Sequence, residues 1–205
     1  DWCYAKKPAP SEPSLFATDP VAQGDLVQIL DSGADKEHET IKAAFFAAIN
    51  MAASRAWLCT PYFIPDEAMS FALKAAALRG VDVRVLVPHK SDSRTVSAAA
   101  RSHYDPLLRA GVRIFEYQTR MLHAKTLVID DWMGSIGTAN FDNRSFRLNF
   151  EVTALVYSKR IAEELAANFE RDLSDAKQVT VASRLRLPLS RRLFEGGARV
   201  LSPLL

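Results

Sequence analysis

The sequence predicts an α/β fold in which helices cover both faces of a mixed β-sheet. Short apolar segments alternate with amphipathic segments between residues 26 and 117, a pattern typical of strands and helices in one α/β domain. Two further apolar segments, KTLVID at 125–130 and MGSIG at 133–137, are separated by Asp131 and Trp132 alone. So short a connection predicts a hairpin, and therefore antiparallel as well as parallel neighbours in the sheet.

Each element follows from its local pattern. The expected strands are LVQIL (26–30), AWLCT (56–60), VDVRVLVP (81–88), VRIFEY (112–117) and FEVTALVYS (150–158). The expected helices cover residues 36–54, 66–79, 94–109 and 160–173. Gly80 stands just after the second of these helices, at the position where a glycine commonly ends a helix.

The composition divides the chain into three segments. Residues 1–20 predict a linker or arm from an upstream lobe, because four prolines fall between residues 6 and 20. Residues 21–176 hold the regular elements and form the expected catalytic domain. Residues 177–205 form a basic amphipathic tail.

The overall composition is that of a globular protein with an apolar core. The chain is 48% hydrophobic and 24% charged, with a formal net charge of +2. This near-neutral charge, without basic residues interleaved with aromatic ones, argues against a nucleic-acid partner. No apolar stretch reaches the roughly 18 residues that span a bilayer. The two cysteines, Cys3 and Cys59, match no metal or redox spacing, and Cys59 is expected to be a buried thiol.

HAKTLVID, residues 123–130, places a base, a cation and an acid in one predicted strand. Residues two apart share a face, so His123 and Lys125 are expected to project together, while Asp130 points the other way and is expected to be structural. A phosphate ester suits the pair, because the ammonium neutralises phosphoryl oxygens while imidazole attacks phosphorus or protonates a leaving oxygen. The turn GTAN at 137–140 adds a hydroxyl and a carboxamide that suit phosphate oxygens.

A His-X-Lys pair alone is weak evidence for a site, but its continuation is specific. HAKTLVIDDWMGSIGTANFDNRSFRLNFE reads His-X-Lys, four residues, Asp, six residues, and then Gly-Thr-X-Asn. This spacing resembles the signature of the phospholipase D superfamily, with Thr138 where serine is usual. The substitution keeps the hydroxyl and adds a methyl group.

The flanking segments resemble the C-terminal catalytic lobe of bacterial cardiolipin synthases over almost the whole chain. TPYFIPD, ALRGVDVRVLVP, LLRAGVRIFEY, DNRSFRLNFEV and RVLSPLL carry this resemblance. It implies a phosphatidyltransferase that joins two phosphatidylglycerols into cardiolipin and releases glycerol, through a phosphatidyl-histidine intermediate and without a metal or other cofactor. It also implies an enzyme at the cytoplasmic face of a bacterial cell membrane.

The resemblance implies roles for single residues as well. His123 would be one of two catalytic histidines, either the nucleophile or, as family analogy favours, the general acid and base. Lys125 would clamp the phosphate. Thr138 and Asn140 would complete the phosphate pocket, supported by the close turn at Gly137. Glu151 stands where the family has a carboxylate that accepts a hydrogen bond from an imidazole Nδ1.

Four other residues have two interpretations each. Arg144 and Arg147 either meet lipid phosphates or cap the local helix. Tyr62 and Phe63 either line the lipid entrance or close the core.

The single His-X-Lys motif predicts an incomplete site. One histidine cannot easily be nucleophile and leaving-group acid at once, because the two act on opposite sides of phosphorus. The chain is therefore expected to be half of a longer enzyme, which its start without methionine favours, or one of two copies that share a site. Two other functions stay open: a phospholipase D-type phosphodiesterase acting on lipid or nucleic acid as a homodimer, and a non-catalytic lipid-binding lobe.

The tail from Leu189 onward predicts an amphipathic helix. At about 100° per residue, one side is apolar and the other is mostly basic. The apolar side carries Leu189, Leu193, Phe194, Val200 and Leu201, and the polar side carries Arg191, Arg192, Glu195 and Arg199. Such a helix either lies in the interface of an anionic bilayer or docks on the domain with its arginines in solvent.

Overall fold

The computed structural model describes residues 24–35, 38–91, 93–119 and 122–200. The predicted linker at 1–20, Cys3 and the last residues of the tail, 201–205, lie outside the described residues. Within the described ranges, no helix is both long enough and apolar enough to cross a membrane.

Ten strands and eight helices occur in the described part of the chain. The strands are β1 (Leu26–Ser32), β2 (Arg55–Cys59), β3 (Phe63–Ile64), β4 (Asp82–Pro88), β5 (Arg113–Tyr117), β6 (Thr126–Ile129), β7 (Met133–Gly137), β8 (Phe141–Asp142), β9 (Glu151–Tyr157) and β10 (Ala176–Val179). The helices are α1 (Thr40–Met51), α2 (Glu67–Leu78), α3 (Arg94–Ser102), α4 (Tyr104–Arg109), α5 (Asn143–Arg147), α6 (Lys159–Leu173), α7 (Val181–Leu185) and α8 (Leu189–Val200).

Eight of these strands form one mixed sheet in the order β1-β9-β7-β6-β2-β4-β5-β10. The β2, β4 and β5 strands are parallel to one another, whereas β6, β7, β9 and β1 continue the sheet in antiparallel pairs. The predicted β6–β7 hairpin is confirmed: Ile129 pairs with Met133 across the turn. The edge strand β10 is antiparallel to β5.

Alternate residues of the central strands face two separate cores. In β2, Ala56 and Leu58 belong to the larger core, which includes buried residues of α1, α2 and α4, whereas Trp57 and Cys59 belong to a second core with α6. The period of two thus sends apolar side chains to both faces, as a sheet covered on both sides requires. This confirms the predicted fold class.

A small two-stranded sheet carries one wall of the site. The β3 strand pairs with β8 in parallel, Phe63 opposite Phe141 and Ile64 opposite Asp142. Both phenylalanines are buried, and the Phe141 ring stacks on those of Phe63 and Phe45 at centroid distances of 5.7 and 6.4 Å. This aromatic stack fixes the backbone on either side of Phe141.

Local chemistry sets the limits of α2. The Asp66 carboxylate accepts a hydrogen bond from the Met69 backbone N–H at 2.8 Å and caps the helix N-terminus. Gly80 has φ = 93°, a left-handed conformation that glycine adopts at little cost after a helix C-terminus. The predicted end of this helix is confirmed.

Two predicted helices differ from the observed ones. Within the described part of the segment 36–54, the helix covers Thr40–Met51. It ends there because the N–H groups of Ala53 and Ser54 turn to the carboxylate of Asp130, the residue after β6. The predicted helix 94–109 is two helices that meet at His103. Pro106 explains the break, since it has no N–H for the Ser102 carbonyl four residues earlier.

The tail is built into the domain. Its first residues lie in β10, where Gln178 pairs with Phe115 of β5, so the sheet continues past the boundary predicted between residues 176 and 177. The pattern AKQV is too short and too polar to predict a strand without its partner. The α8 helix then packs against α3 through small residues, Ala198 meeting Ala98 and Ala99.

Candidate active site

His123 and Lys125 lie in the irregular segment that leads into β6. His123 is exposed and Lys125 is half-buried, and the Lys125 Nζ donates a hydrogen bond to the His123 carbonyl oxygen at 2.9 Å. The prediction that both residues belong to the strand is wrong. The neighbouring β2 ends at Cys59, which pairs with Thr126, so strand pairing with β2 reaches no further toward the histidine.

The β6–β7 hairpin brings the two halves of the motif together. Its register pairs Thr126 with Ile136, and the next backbone hydrogen bond runs from the Gly137 N–H to the Lys125 carbonyl oxygen at 3.2 Å. A side chain would not fit at Gly137, because its Cβ would lie 2.6 Å from the Val152 carbonyl oxygen. Glycine therefore lets β7 pass close to β9 beside the lysine.

The Thr138 hydroxyl is engaged with the backbone of β9. Its Oγ1 accepts a hydrogen bond from the Val152 N–H at 3.0 Å, and the Thr138 N–H donates to the Val152 carbonyl oxygen at 2.9 Å. The hydroxyl thus links the turn to the sheet. A phosphate oxygen would have to share it with this contact.

Asn140 lines a cavity of about 270 Å³ next to the turn. The other residues around this cavity are Tyr62, Ile64, Ser93, Val96, Asp142, Arg144 and Asn149. The Asn140 Nδ2 donates to the Ser145 Oγ at 3.3 Å, whereas its buried Oδ1 has no hydrogen-bond partner within the described residues. A buried carboxamide oxygen without a donor can receive one from a ligand.

Glu151 begins β9 close to the motif lysine. Its Oε1 accepts a hydrogen bond from the Asn149 Nδ2 at 3.1 Å. Within the described residues no hydrogen bond joins Glu151 to His123, and the role predicted for Glu151 as the acceptor of an imidazole Nδ1–H stays a prediction. The negative charge of Glu151 acts on Lys125, whose pKa it raises against the lowering that burial causes.

Burial and charge set the electrostatics at Lys125. Desolvation is the largest influence and lowers the pKa of its ammonium, and the Glu151 and Asp142 carboxylates oppose it. Asp142 is itself buried, and this burial raises its pKa. A cation that has already lost part of its hydration is suited to contact a phosphoryl oxygen.

Asp130 serves the backbone and not the cavity. Its carboxylate accepts hydrogen bonds from the N–H groups of Ala53, Ser54 and Arg55 at 2.7–2.9 Å, and also from the Ser54 hydroxyl at 2.8 Å. These donors outweigh the effect of burial and lower its pKa to about 2. The contacts support the structural role predicted for Asp130, which ties the end of β6 to the start of β2.

The structure distinguishes between the two roles predicted for Arg144 and Arg147 and between those predicted for Tyr62 and Phe63. Arg147 forms an ion pair with Glu39 ahead of α1, whereas Arg144 is exposed and lines the cavity. Phe63 is fully buried in the core, whereas Tyr62 lines the cavity. One member of each pair thus faces the site.

Several polar residues of the site escaped the sequence analysis. The buried hydroxyls of Ser135 and Thr153 lie with Lys125 around a small cavity under the hairpin, and neither has a hydrogen-bond partner in the described ranges. Asp142 caps α5 by accepting from the Ser145 N–H at 2.7 Å. An aspartate just before a helix is an N-cap signal, and this signal could have identified Asp142. No signal in the sequence marks Ser135 or Thr153.

Cys59 lies beside the site without a reactive thiolate. Its thiol is buried and free, and burial raises its pKa to about 12. The predicted buried thiol is confirmed. Low accessibility and a raised pKa leave it un-ionised at neutral pH.

The arrangement suits phosphoryl chemistry. An exposed imidazole precedes a partly desolvated ammonium, and a cavity with a spare carboxamide oxygen and an arginine lies across the turn. The ammonium and the guanidinium can neutralise phosphate oxygens, and the imidazole can move a proton. Within the described residues, no group of three or more His, Cys, Asp or Glu side chains is placed to hold a metal ion.

Solved structures with the same fold define the class of protein. The phospholipase D family member Nuc from Salmonella typhimurium matches 77% of this chain and 99% of its own, with a TM-score of 0.66 at 18% identity. The phosphatidylserine synthase of Haemophilus influenzae matches 87% of this chain and 48% of its own, with a TM-score of 0.68 at 13% identity. The fold is that of a phospholipase D-type lobe.

Sequence comparison identifies the family. The profile described as "Cardiolipin synthase, PLD-like domain" matches residues 45–173, and the chain belongs to this family. It is 44% identical to cardiolipin synthase 2 of Bacillus anthracis over 208 aligned residues, and 41% identical to cardiolipin synthase A of Pseudomonas entomophila over 205. Both alignments cover all of this chain but only 40% and 42% of the relatives, so the chain spans about two fifths of their length.

Proposed function

We propose that this chain supplies one of the two histidine motifs of an enzyme that makes cardiolipin from two phosphatidylglycerols and releases glycerol. The observation that carries the proposal is the β6–β7 hairpin, which sets Lys125 across from the turn that leads to Asn140. Asp142, in the wall of the Asn140 cavity, is close enough for its charge to act on Lys125. The chain resembles cardiolipin synthases over its own full length, and this similarity supports phosphatidylglycerol as the lipid substrate.

The proposed chemistry begins with attack on the donor lipid. An imidazole nitrogen from the other motif attacks phosphorus of the first phosphatidylglycerol, and the P–O bond to the departing glycerol breaks. His123 gives its proton to the glycerol oxygen as that bond breaks. Lys125 neutralises the charge that builds on the non-bridging oxygens. The products of this half-reaction are glycerol and a phosphatidyl-histidine.

The second half-reaction reverses the proton transfer. A headgroup hydroxyl of a second phosphatidylglycerol loses its proton to the neutral His123 and attacks phosphorus. The P–N bond breaks, and cardiolipin leaves with both phosphates as diesters. His123 then carries the proton it started with, so the cycle is balanced.

The proposal assigns Asn140 and Arg144 to the lipid phosphates. Asn140 Nδ2 is already bound to Ser145, so its amide is held in place before a ligand arrives. Arg144 is exposed at the cavity and has a delocalised charge that suits a phosphodiester. Glu151 lies close enough to act on Lys125 and would orient an imidazole once the second motif is present.

The decisive experiment compares this chain with a longer protein that restores its upstream residues. Both are given phosphatidylglycerol in mixed micelles, and cardiolipin and phosphatidic acid are measured. We expect cardiolipin from the longer protein alone. His123→Asn should reduce it by about 10²–10⁴-fold, the range for removal of a general acid–base group. His38→Asn is the matched control, because that histidine is exposed and outside the motif.

Each other outcome selects a different function. Cardiolipin from the 205 residues alone would mean that two copies share a site. Phosphatidic acid without cardiolipin would make the protein a hydrolase. No turnover by the longer protein, with lipid binding unchanged by His123→Asn, would leave a non-catalytic lipid-binding lobe.

A further inference from the structure

The outer surface of α7 and α8 is apolar and uncovered. We call the side chains of Leu185, Leu189, Leu193 and Phe194 the α8 patch. They are 61%, 69%, 67% and 56% exposed. Leu185 and Arg192 line one small pocket, so α7 and α8 form a continuous surface. Large apolar side chains this exposed on neighbouring helices indicate a surface that contacts something else.

The orientation of α8 is fixed by its other side. Glu195 and Ala198 are 3% and 6% exposed and face α3 and α7. The buried Glu195 carboxylate accepts a hydrogen bond from the Arg184 guanidinium at 2.6 Å. At about 100° per residue, Leu189 and Leu193 lie opposite this buried side. The helix therefore docks by its polar and small residues and turns its leucines outward.

The charge around the α8 patch is strongly basic. Residues 181–200 contain five arginines and one acidic residue, a net charge of +4, whereas the whole chain carries +2. The rest of the chain is therefore net negative, at −2. The acidic groups that face these helices, Glu195 and Asp105, are both paired with Arg184. Arg191 also lies 3.5 Å from Glu195, on the buried side of α8. Within the described residues Arg186, Arg192 and Arg199 form no ion pair, and Arg192 and Arg199 flank the leucines at about 60–80° around the helix.

The helix that carries most of the α8 patch packs next to the wall of the Asn140 cavity. Ala198 packs in one cluster with Ile64 and Ala98, and Ile64 lines the Asn140 cavity. The other exposed apolar residues of the sheet lie at its opposite edge, on β1 and around the start of β9, and include Leu26, Ile29, Phe150 and Val152. That second edge is available for a partner lobe without covering α8.

We propose that the α8 patch is the contact between this protein and an anionic phospholipid bilayer. Leucine and phenylalanine enter the acyl boundary while the flanking arginines meet lipid phosphates, which is how a basic amphipathic helix binds an interface. A bilayer suits this surface better than a protein partner, because the arginines surround the apolar residues and the acidic groups are turned inward. The inference rests on the proposed function for its purpose: a lipid would pass from this surface to the neighbouring cavity.

The test is co-sedimentation of the 205-residue chain with vesicles. Vesicles of phosphatidylcholine alone are compared with vesicles that also contain phosphatidylglycerol. We expect binding to the anionic vesicles, weakened by salt. Leu193→Ser with Phe194→Ser should weaken it at least tenfold, and Arg186→Gln with Arg192→Gln should weaken it about fivefold for each arginine.

Matched controls distinguish binding by the α8 patch from nonspecific hydrophobic adsorption and from nonspecific electrostatic attraction. Phe71→Ser with Leu78→Ser removes an equally exposed apolar pair from α2, and Arg171→Gln with Lys177→Gln removes two exposed charges elsewhere. Both controls should bind vesicles as the unmodified chain does. Each variant is also checked for unchanged folding by circular dichroism.

Three results would overturn the proposal. These are absence of binding to anionic vesicles, equal binding by the Leu193 and Phe194 variant, and a chain that self-associates through this surface, seen as a dimer that the same variant dissociates in sedimentation equilibrium. His38→Asn, an exposed position outside the motif, should bind vesicles normally. Failure of vesicle binding is thus distinct from failure of the proposed transferase, which the micelle assay measures separately.

Discussion

The backbone N–H of Gly137 donates a hydrogen bond to the carbonyl oxygen of Lys125 across the β6–β7 hairpin. This 3.2 Å contact joins two parts of the motif that are twelve residues apart in the chain. It places the turn with Thr138 and Asn140 next to the lysine. The geometry of the candidate site therefore depends on how closely β7 can approach its neighbours.

Gly137→Ala tests this close approach. The new Cβ would lie 2.6 Å from the Val152 carbonyl oxygen, so the backbone must move. We expect a loss of about 1–3 kcal/mol in the free energy of unfolding, measured by urea denaturation. Gly197→Ala is the control, because a Cβ there would meet no atom within 4 Å outside its own stretch of helix, and alanine favours a helix by about 1 kcal/mol over glycine. Equal effects of the two substitutions would contradict the proposed packing constraint.

Asp130→Asn tests the link between β6 and β2. The carboxylate accepts four hydrogen bonds, and its loss should lower the free energy of unfolding by about 2 kcal/mol at neutral pH. Asp131→Asn changes an exposed ion pair with Lys159 and should stay within about 0.5 kcal/mol.

The same carboxylate predicts a pH dependence. Its folded-state pKa of about 2 lies below the ordinary value of 3.8, so its contribution is present above pH 3.8 and is lost as the pH falls toward 2. The free energy of unfolding, measured by denaturation at several pH values between 5 and about 2, should therefore fall more steeply with decreasing pH for the unmodified protein than for Asp130→Asn. The same pH dependence of the free energy of unfolding in both proteins would show that Asp130 is not the group that titrates.

Lys125→Met tests the phosphate clamp in the longer, two-motif protein. Methionine keeps the length of the side chain but removes the charge, so we expect cardiolipin formation to fall by about 10²–10³-fold. Lys177→Met, at an exposed position on β10, should keep full activity. Retained turnover in Lys125→Met would exclude the clamp role. A thermal unfolding curve for each variant checks that the fold is intact.

Arg184→Met tests what holds α8 on the domain. The change leaves the buried Glu195 carboxylate with only the longer 3.5 Å contact to Arg191, and breaking a buried ion pair costs about 3–5 kcal/mol. We expect faster hydrogen exchange throughout α8, with the central sheet unaffected. Adding Glu195→Leu removes the uncompensated charge and should restore the protection of α8. Slow exchange in the single variant would mean that apolar packing on α3 holds the helix.

Local patterns were sufficient for most of the fold. The alternation of apolar residues in β2 and β4 predicted buried strands, and the two-residue connection at Asp131 and Trp132 predicted the hairpin. Helix limits were less certain, because they depend on partners. The helix expected at 94–109 breaks at His103, and β10 exists only because β5 offers it an edge.

The candidate site shows the same division. The spacing from His123 to Asn140 named the motif, but the prediction that His123 and Lys125 share a strand was wrong, since β2 ends one residue pair short of them. Sequence spacing also could not show that the Thr138 hydroxyl is hydrogen-bonded to the Val152 backbone, or that the Ser135 and Thr153 hydroxyls lie buried beside the lysine. The catalytic roles of these residues stay predictions.

The sequence by itself determined the family, the fold class and the residues of the motif, because these follow from spacing and from the periodicity of strands and helices. Only the tertiary structure decided which groups are already engaged and which face outward. Glu195 stands on the polar side of its helix, yet it is buried against Arg184 while Leu189 and Leu193 are exposed. A helix pattern shows that a helix has two faces, but the neighbours it packs against determine which face is covered.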